Sequence, residues 1–256
     1  MTTPSITPSD TGKPRDAGNW AERASSLQLG AVPSGAINLN VSGKHAVSPL
    51  QGFGQMWQKT YLVRLSGAAV TPQAVIQTWK TDFPKFWPKG NRFYGPLTGI
   101  APGEVGLINM NLGPAKLSTG VLVLYSDEES FTFMTPQGHM FAGWITFSAY
   151  EEDGATVAQA QVLIRANDPI YELGFRFGGG KNEDKFWEQT LLALAASFGV
   201  KGHVTLQQIC VDPKVQWSQA KNIWHNAGIR TTIYLVMTPV RAPIRWIRRR
   251  GRQARR

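Results

Sequence analysis

The stretch Ser130–Ala149, SFTFMTPQGHMFAGWITFSA, determines our prediction of the fold. Phe131 and Phe133 alternate with their neighbours at the period of two that is typical of a strand with one buried face. Residues 135–139, TPQGH, interrupt this alternation with turn-forming residues, and residues 143–149 form a second β-rich run. The stretch is therefore predicted to be a hairpin of an antiparallel sheet, with His139 at its turn.

The segments around this hairpin predict an antiparallel sheet and two covering helices. Thr71 followed by Pro72 predicts a helix with Thr71 as its N-cap, which Pro84 ends. Beyond the flexible joint at residues 178–180, a long amphipathic helix is predicted to cover the apolar face of the sheet. We expect strands over residues 60–65, 104–110, 120–125, 131–134, 144–150 and 156–166. The order of these elements indicates an α+β fold.

The chain continues beyond the long helix. Residues 204–211 are predicted to form a strand, residues 217–227 a short helix and residues 231–237 another strand. We therefore expect a C-terminal strand–helix–strand extension of the α+β domain.

The opening helix, with Trp79 and the following residues 82–88, resembles that of START-like helix-grip (SRPBCC) domains. The spacing Phe133-x5-His139-x3-Gly143-x3-Phe147 is also similar to the glycine-histidine segment of the uncharacterised DUF1990 branch. This resemblance covers residues 58–200. It implies a curved antiparallel sheet wrapped around a long C-terminal helix, enclosing a cavity for a small apolar ligand.

Charge and composition divide the chain into three parts. Residues 1–54 are rich in Ser, Thr, Pro, Gly and Ala, which predicts a disordered or irregular segment. Residues 55–238 are expected to form the helix-grip domain with its extension, and residues 239–256 a basic tail. The net charge is +10, but residues 213–256 alone carry +11, so residues 1–212 carry −1. The basicity therefore predicts nothing about the partners of the domain itself.

Aromatic and small residues of the predicted sheet and helices are candidates to line the cavity. The small alanines of the strand over residues 156–166 leave space on its inner face. The candidate ligand-binding residues are Trp79, Phe133, His139, Trp144, Phe147, Ala160, Val162, Trp187 and Leu191. The competing interpretation is that the aromatic residues form a solid core.

His139 is the candidate for chemistry, because a histidine at a turn beside Gly138 can project into a cavity as an acid or base. The helix-grip superfamily that the chain resembles includes cyclases and hydrolases. An enzyme of that kind requires His139 to meet a carboxylate, for which Asp168 and Glu172 are the candidates. The alternative is a structural histidine that bonds to the backbone of its turn.

The tail is the second functional candidate. Its Arg245, Trp246, Arg248, Arg249 and Arg250 combine cationic and aromatic side chains, which suits an anionic membrane surface. Nonspecific binding of nucleic acid and a tail that only solubilises the protein are the alternatives.

Several classes of function are excluded or disfavoured. The single Cys210 excludes an internal disulfide and a cysteine-rich zinc site, and the four histidines lack metal-ligand spacing, so we expect neither metal nor cofactor. No apolar run approaches the length needed to span a bilayer. We expect a cytoplasmic protein that binds a small hydrophobic molecule or lipid, is noncatalytic or weakly catalytic, and contacts the membrane peripherally through its tail.

Overall fold

The computed structural model describes residues 17–112 and 115–238. The strands are β1 (Met56–Arg64), β2 (Arg92–Tyr94), β3 (Val105–Leu112), β4 (Ala115–Ser126), β5 (Ser130–Met134), β6 (Phe141–Glu152), β7 (Ala155–Ala166) and β8 (Val204–Asp212). The helices are α1 (Pro72–Asp82), α2 (Pro169–Gly174), α3 (Gly180–Ser197) and α4, which covers residues 227–238. Short 3-10 helices cover Pro49–Gln51, Phe83–Phe86 and Trp217–His225.

The eight strands of this described part form one curved sheet with the order β2-β3-β4-β5-β6-β7-β1-β8, and every neighbouring pair is antiparallel. Helix α3 packs against the inner face of the sheet with Leu191 and Leu194, which are fully buried. A curved antiparallel sheet around a long helix is the helix-grip arrangement, and the predicted α+β fold class is therefore confirmed.

The predicted hairpin is confirmed and forms strands β5 and β6. Phe131 lies opposite Phe147 in the register, and the two rings stack with their centroids 4.6 Å apart. Gly138, at the turn, has φ +89°, and a Cβ atom there would lie 2.1 Å from the carbonyl oxygen of His225. A glycine is therefore required both by the backbone conformation and by the close approach of the C-terminal extension.

Half of the inner face carries a solid aromatic core. Thr71 caps helix α1 as predicted, accepting a hydrogen bond from the Ala74 N–H, and Pro72 follows at the first helical position. The helix buries Trp79 completely, with its ring centroid 5.0 Å from that of Phe147 and 6.1 Å from that of Phe131. These edge-to-face contacts fill the space between α1 and the sheet.

The outer face of the sheet is covered in part by residues 17–54. A second apolar cluster joins Leu27 and Val41 to Val105 and Leu107 of strand β3. Strand β4 has apolar contacts on both faces, with Val123 in the inner core and Leu122 against the outer cluster. Strand β4 is therefore covered on both faces.

The C-terminal extension agrees with the prediction except in its last element. Strand β8 pairs with β1 at the edge of the sheet, and a 3-10 helix follows at Trp217–His225. The strand predicted over residues 231–237 is wrong, because residues 227–238 are helical. The β-branched Thr231, Thr232 and Ile233 suggested a strand, whereas the hydroxyl of Thr232 donates to the carbonyl oxygen of Gly228 one helical turn earlier.

The basic tail lies outside the described residues. The five candidates of the tail, Arg245, Trp246, Arg248, Arg249 and Arg250, therefore remain sequence predictions.

Candidate functional site

A cavity of about 1020 Å³ lies between the other half of the inner face and the helices that cover it. Its floor consists of apolar side chains of the sheet: Ile108, Val121, Phe133, Ile145, Val162 and Ile164. Its cover is formed by α2, the segment Phe175–Gly179, α3 and α4: Ile170, Tyr171, Phe175, Phe186, Trp187, Ile229, Thr232 and Ile233. Trp87, which follows α1, closes the side toward the solid core.

A kink between α2 and α3 shapes this cover. Phe177 (φ −90°, ψ 38°) and Gly178 (φ +109°) leave the helical conformation within the segment Phe175–Gly179. The positive φ of Gly178 is one that residues with a side chain rarely adopt. The kink separates α2 from α3, so both helices can border the cavity in different directions.

Several apolar side chains that border the cavity are exposed, and we call them its rim. Phe177 is 82% exposed, and Ile170, Ile229 and Ile233 are 46%, 40% and 55% exposed. Exposed apolar side chains beside a cavity favour contact with an apolar partner.

The predicted ligand-binding residues separate into two groups. Five of them border the cavity: Phe133, His139, Trp144, Val162 and Trp187. Trp144 does so although its position in β6 alternates with Ile145 and Phe147, which face the inner core. Trp79, Phe147, Ala160 and Leu191 lie in the solid core and do not border it. Both sequence interpretations, core and cavity wall, therefore apply, each to a different half of the inner face.

His139 borders the cavity, but its ring is hydrogen-bonded to the backbone next to its own turn. Nδ1 lies 3.0 Å from the backbone nitrogen and 3.1 Å from the carbonyl oxygen of Phe141, so it bonds to the backbone of that residue in either neutral tautomer. Burial lowers the pKa of His139 to about 4, and the ring is therefore neutral at neutral pH. Its backbone carbonyl accepts a hydrogen bond from Asn167 Nδ2.

The two carboxylates considered for a reaction with His139 are used elsewhere, and neither borders the cavity. Asp168 caps helix α2 by accepting hydrogen bonds from the N–H groups of Ile170 and Tyr171 at 2.9 and 3.0 Å, and its other oxygen accepts from Asn226. Glu172 accepts a hydrogen bond from Arg176 Nε at 2.7 Å. The acid–base pair proposed from the sequence is therefore not assembled at the cavity.

A carboxylate that the sequence analysis did not select, Glu183, borders the cavity at the start of α3. Its Oε2 atom lies 2.7 Å from Nζ of Lys59, a residue of β1 whose side chain is only 3% exposed. The same ammonium lies 2.6 Å from Oδ1 of Asp184, which also accepts a hydrogen bond from the Tyr61 hydroxyl. Two carboxylates thus share one buried cation.

Burial and mutual interaction shift the pKa values of this cluster. Burial raises the pKa of Glu183 to about 7, against the opposing effect of Lys59. Burial also opposes charging of Lys59, but Glu183 and Asp184 outweigh it and raise the pKa of the ammonium. Lys59 therefore stays charged, whereas Glu183 can gain or lose a proton near neutral pH.

Other site residues were missed for identifiable reasons. Ile229 and Ile233 have helical spacing of four residues, which could have indicated α4 and its apolar face. Asp168-Pro169 repeats the cap signature used for α1 and could have indicated α2. Lys59 gave no signal, because the alternation of a strand does not reveal which charges meet across the fold.

Two searches of the described residues were negative. Within residues 17–112 and 115–238, no group of three or more His, Cys, Asp or Glu side chains could hold a metal ion. Among the helices in the same residues, none has both the length and the apolar character needed to cross a membrane.

Comparisons with known proteins were made for the sequence and for the fold. No family model and no curated protein matches the chain. Solved structures with a similar fold include the di-domain ARO/CYC StfQ from the steffimycin biosynthetic pathway, with 12% identity and a TM-score of 0.44. That match covers 57% of this chain and 53% of StfQ, so the chain spans about half of the StfQ length.

Two further structures complete this comparison. Protein Ms6760 from Mycobacterium smegmatis is 15% identical with a TM-score of 0.40, over 56% of this chain and 90% of that protein. The major latex-like protein 151 from Panax ginseng is 12% identical with a TM-score of 0.39, over 57% of this chain and 99% of that protein. At these values the similarities identify neither a ligand nor a reaction. The helix-grip assignment follows from the strand order and from the position of α3.

Proposed function

We propose that this protein binds a small hydrophobic molecule or lipid in the cavity between the sheet and helices α2, α3 and α4. The observation that carries this proposal is the cavity itself: about 1020 Å³, with an apolar floor and an apolar rim. Its volume matches the upper end of the range typical of small-molecule sites, roughly 300–1000 Å³. Binding removes both the ligand and the wall from water, which is favourable in proportion to the apolar area buried.

A binding function without strong catalysis agrees best with the polar groups of the wall. His139 has its Nδ1 occupied by the backbone of Phe141, and Asp168 and Glu172 make their hydrogen bonds away from the cavity. The acid–base pair considered from the sequence would need His139 and one of these two carboxylates within reach of one substrate.

The cavity can be tested by filling it. In Val162→Trp a larger side chain occupies the floor, so a fluorescent apolar probe such as N-phenyl-1-naphthylamine should bind at least about tenfold more weakly than to the wild type. Leu97→Trp adds the same side chain at a position that is 92% exposed and remote from the cavity wall, and serves as the control. Native mass spectrometry of the purified protein should show a copurified apolar molecule with the wild type and less of it with Val162→Trp. Equal probe binding by all three proteins would contradict the proposal.

We further propose that the basic tail brings the mouth of the cavity to an anionic membrane. Support comes from the charge of +11 on residues 213–256 and from the exposed apolar rim formed by Phe177, Ile229 and Ile233. Each basic residue near an anionic surface contributes on the order of 1 kcal/mol.

The test is cosedimentation with vesicles. Replacing Arg248, Arg249 and Arg250 by Gln should reduce binding to vesicles that contain phosphatidylserine, and vesicles of phosphatidylcholine alone should bind neither protein. Replacing the exposed Lys85, Lys116 and Lys201 by Gln removes the same charge elsewhere and is the control. Retention of vesicle binding by the arginine variant, or a preference of the wild type for nucleic acid over vesicles at equal salt, would refute the membrane proposal.

A further inference from the structure

Glu183 is a charged side chain in an otherwise apolar part of the cavity wall. Its side chain is 8% exposed, whereas Lys89 and Lys185, which also border the cavity, are exposed. Phe175, Phe186 and Val162 also border the cavity. A buried carboxylate needs hydrogen-bond partners, since an unpaired one is costly to remove from water.

The partners of Glu183 satisfy only one of its two oxygens. Lys59 Nζ donates to Oε2 of Glu183 at 2.7 Å and to Oδ1 of Asp184 at 2.6 Å, and its remaining side faces the ring of Phe175 at 5.0 Å. Oε1 of Glu183 makes no hydrogen bond to any residue in the described ranges 17–112 and 115–238. Of the three donors of the Lys59 ammonium, one is used by Glu183 Oε2 and one by Asp184 Oδ1, and the Phe175 ring lies on a further side of the ammonium.

Asp184 does not compete for a ligand in the same way. Its Oδ1 atom already accepts from both Lys59 and the Tyr61 hydroxyl, and it does not border the cavity. With all three groups ionised, Lys59, Glu183 and Asp184 carry a net charge of −1. The acceptor left for a ligand in this cluster is therefore Glu183 Oε1, and the ionised cluster is negatively charged.

We propose that Glu183 is the polar anchor of the cavity and selects hydrophobic ligands that carry a hydrogen-bond donor, such as an alcohol, over ligands that carry only acceptors or a carboxylate. This inference rests on the proposed function, since it assigns the ligand class of that same cavity.

The selectivity follows from the chemistry of the wall. A hydroxyl can donate to Oε1, whereas a ketone presents only lone pairs to it, and a ligand carboxylate adds repulsion between like charges. A hydrogen bond to an ionised acceptor, lost when the donor is absent, corresponds to roughly a tenfold or larger difference in affinity. A site that is built to bond a hydroxyl rejects analogues without it for this reason.

The experiment is competition for N-phenyl-1-naphthylamine by 1-dodecanol, 2-dodecanone and dodecanoate at pH 8.5, where Glu183 is ionised. These competitors have equal chain length and differ in their polar group. The wild type should bind dodecanol about tenfold or more tightly than dodecanone, and dodecanoate more weakly than dodecanol. Equal affinity for the alcohol and the ketone, or tighter binding of dodecanoate, would overturn the anchor while leaving the binding function intact. Failure of every competitor to displace the probe would instead count against the proposed function.

Glu183→Gln tests the assignment to this residue. Lys59 only donates, so the glutamine must turn its carbonyl oxygen toward Lys59 and its NH2 group toward the cavity. The preference should therefore fall to within about twofold or reverse in favour of the ketone, which accepts from that NH2 group. Glu188→Gln changes an exposed carboxylate of the same helix and should keep the wild-type ratio. A Glu183→Gln variant that is folded by circular dichroism and still prefers the alcohol tenfold would refute the role of Glu183; the wild-type comparison does not depend on either variant.

Discussion

The buried carboxylate of Glu183 should make the unfolding free energy depend on pH. Its pKa is about 7 in the folded protein against an ordinary value of 4.5, so the folded state binds the proton more tightly than the unfolded state. Stability from this group is fully present below pH 4.5 and is lost as the pH rises through 7. A difference of about 2.5 pH units at 1.36 kcal/mol each corresponds to roughly 3 kcal/mol. Glu183→Gln removes the titration, so its stability relative to the wild type should improve by roughly 3 kcal/mol from pH 4.5 to pH 8.

The assay is urea denaturation at intervals between pH 4.5 and pH 8.5, followed by tryptophan fluorescence. The measured quantity is the difference in unfolding free energy between variant and wild type, because the contributions of groups distant from Glu183 cancel in it. Glu188→Gln, which changes an exposed carboxylate of the same helix, should give a difference that varies little with pH. A difference for Glu183→Gln that stays constant within about 0.5 kcal/mol across this range would show that Glu183 is not held protonated by burial.

Three further outcomes follow from the described contacts. Burial lowers the pKa of His139 from 6.5 to about 4, so the wild type gains stability as the pH rises from 4 to 6.5. The unfolding free energy of His139→Asn relative to the wild type should therefore fall over this pH range, opposite to the change expected for Glu183→Gln. A difference in urea denaturation that does not vary with pH would contradict this. Gly138→Ala should lower the unfolding free energy by at least about 1 kcal/mol, since its Cβ meets the carbonyl oxygen of His225 at a φ of +89°, and an unchanged melting temperature would be inconsistent with that contact. Trp79→Ala should cost about 3–5 kcal/mol in urea denaturation but keep the alcohol-to-ketone preference, because Trp79 lies in the solid core; a changed preference would place it at the site.

The sequence predicted the elements whose signals are local. Thr71-Pro72 identified the start of α1 because the cap and the proline act within one turn. The alternation of Phe131 and Phe133 identified β5 because side chains on one face of a strand share one environment. Neither signal depends on what packs against the element, and both predictions are confirmed.

The composition of the cavity wall could not be predicted in the same way. Periodicity placed Phe147 and Phe133 on one face, but only the position of α1 decides that Phe147 is covered by Trp79 while Phe133 reaches the cavity. The role of Glu183 could not be predicted, since nothing local indicates that Lys59, 124 residues earlier, lies opposite it. Strand propensity at residues 231–237 was overridden by the tertiary contacts of α4.

The size of the cavity constrains how it exists in solution. An apolar void costs on the order of 24 cal/mol per Å³, so about 1020 Å³ held dry would cost roughly 24 kcal/mol. Domains are stable by only about 5–15 kcal/mol, and a dry void of this size is therefore incompatible with folding. The wall must be in contact with water that enters at the exposed rim, or with a bound molecule. A hydrophobic ligand that displaces this water buries the apolar wall, and its binding should show a negative heat-capacity change. The ligand would then cover the half of the inner sheet face that α1 does not cover. Glu183 would hold the end of the ligand that carries the polar group.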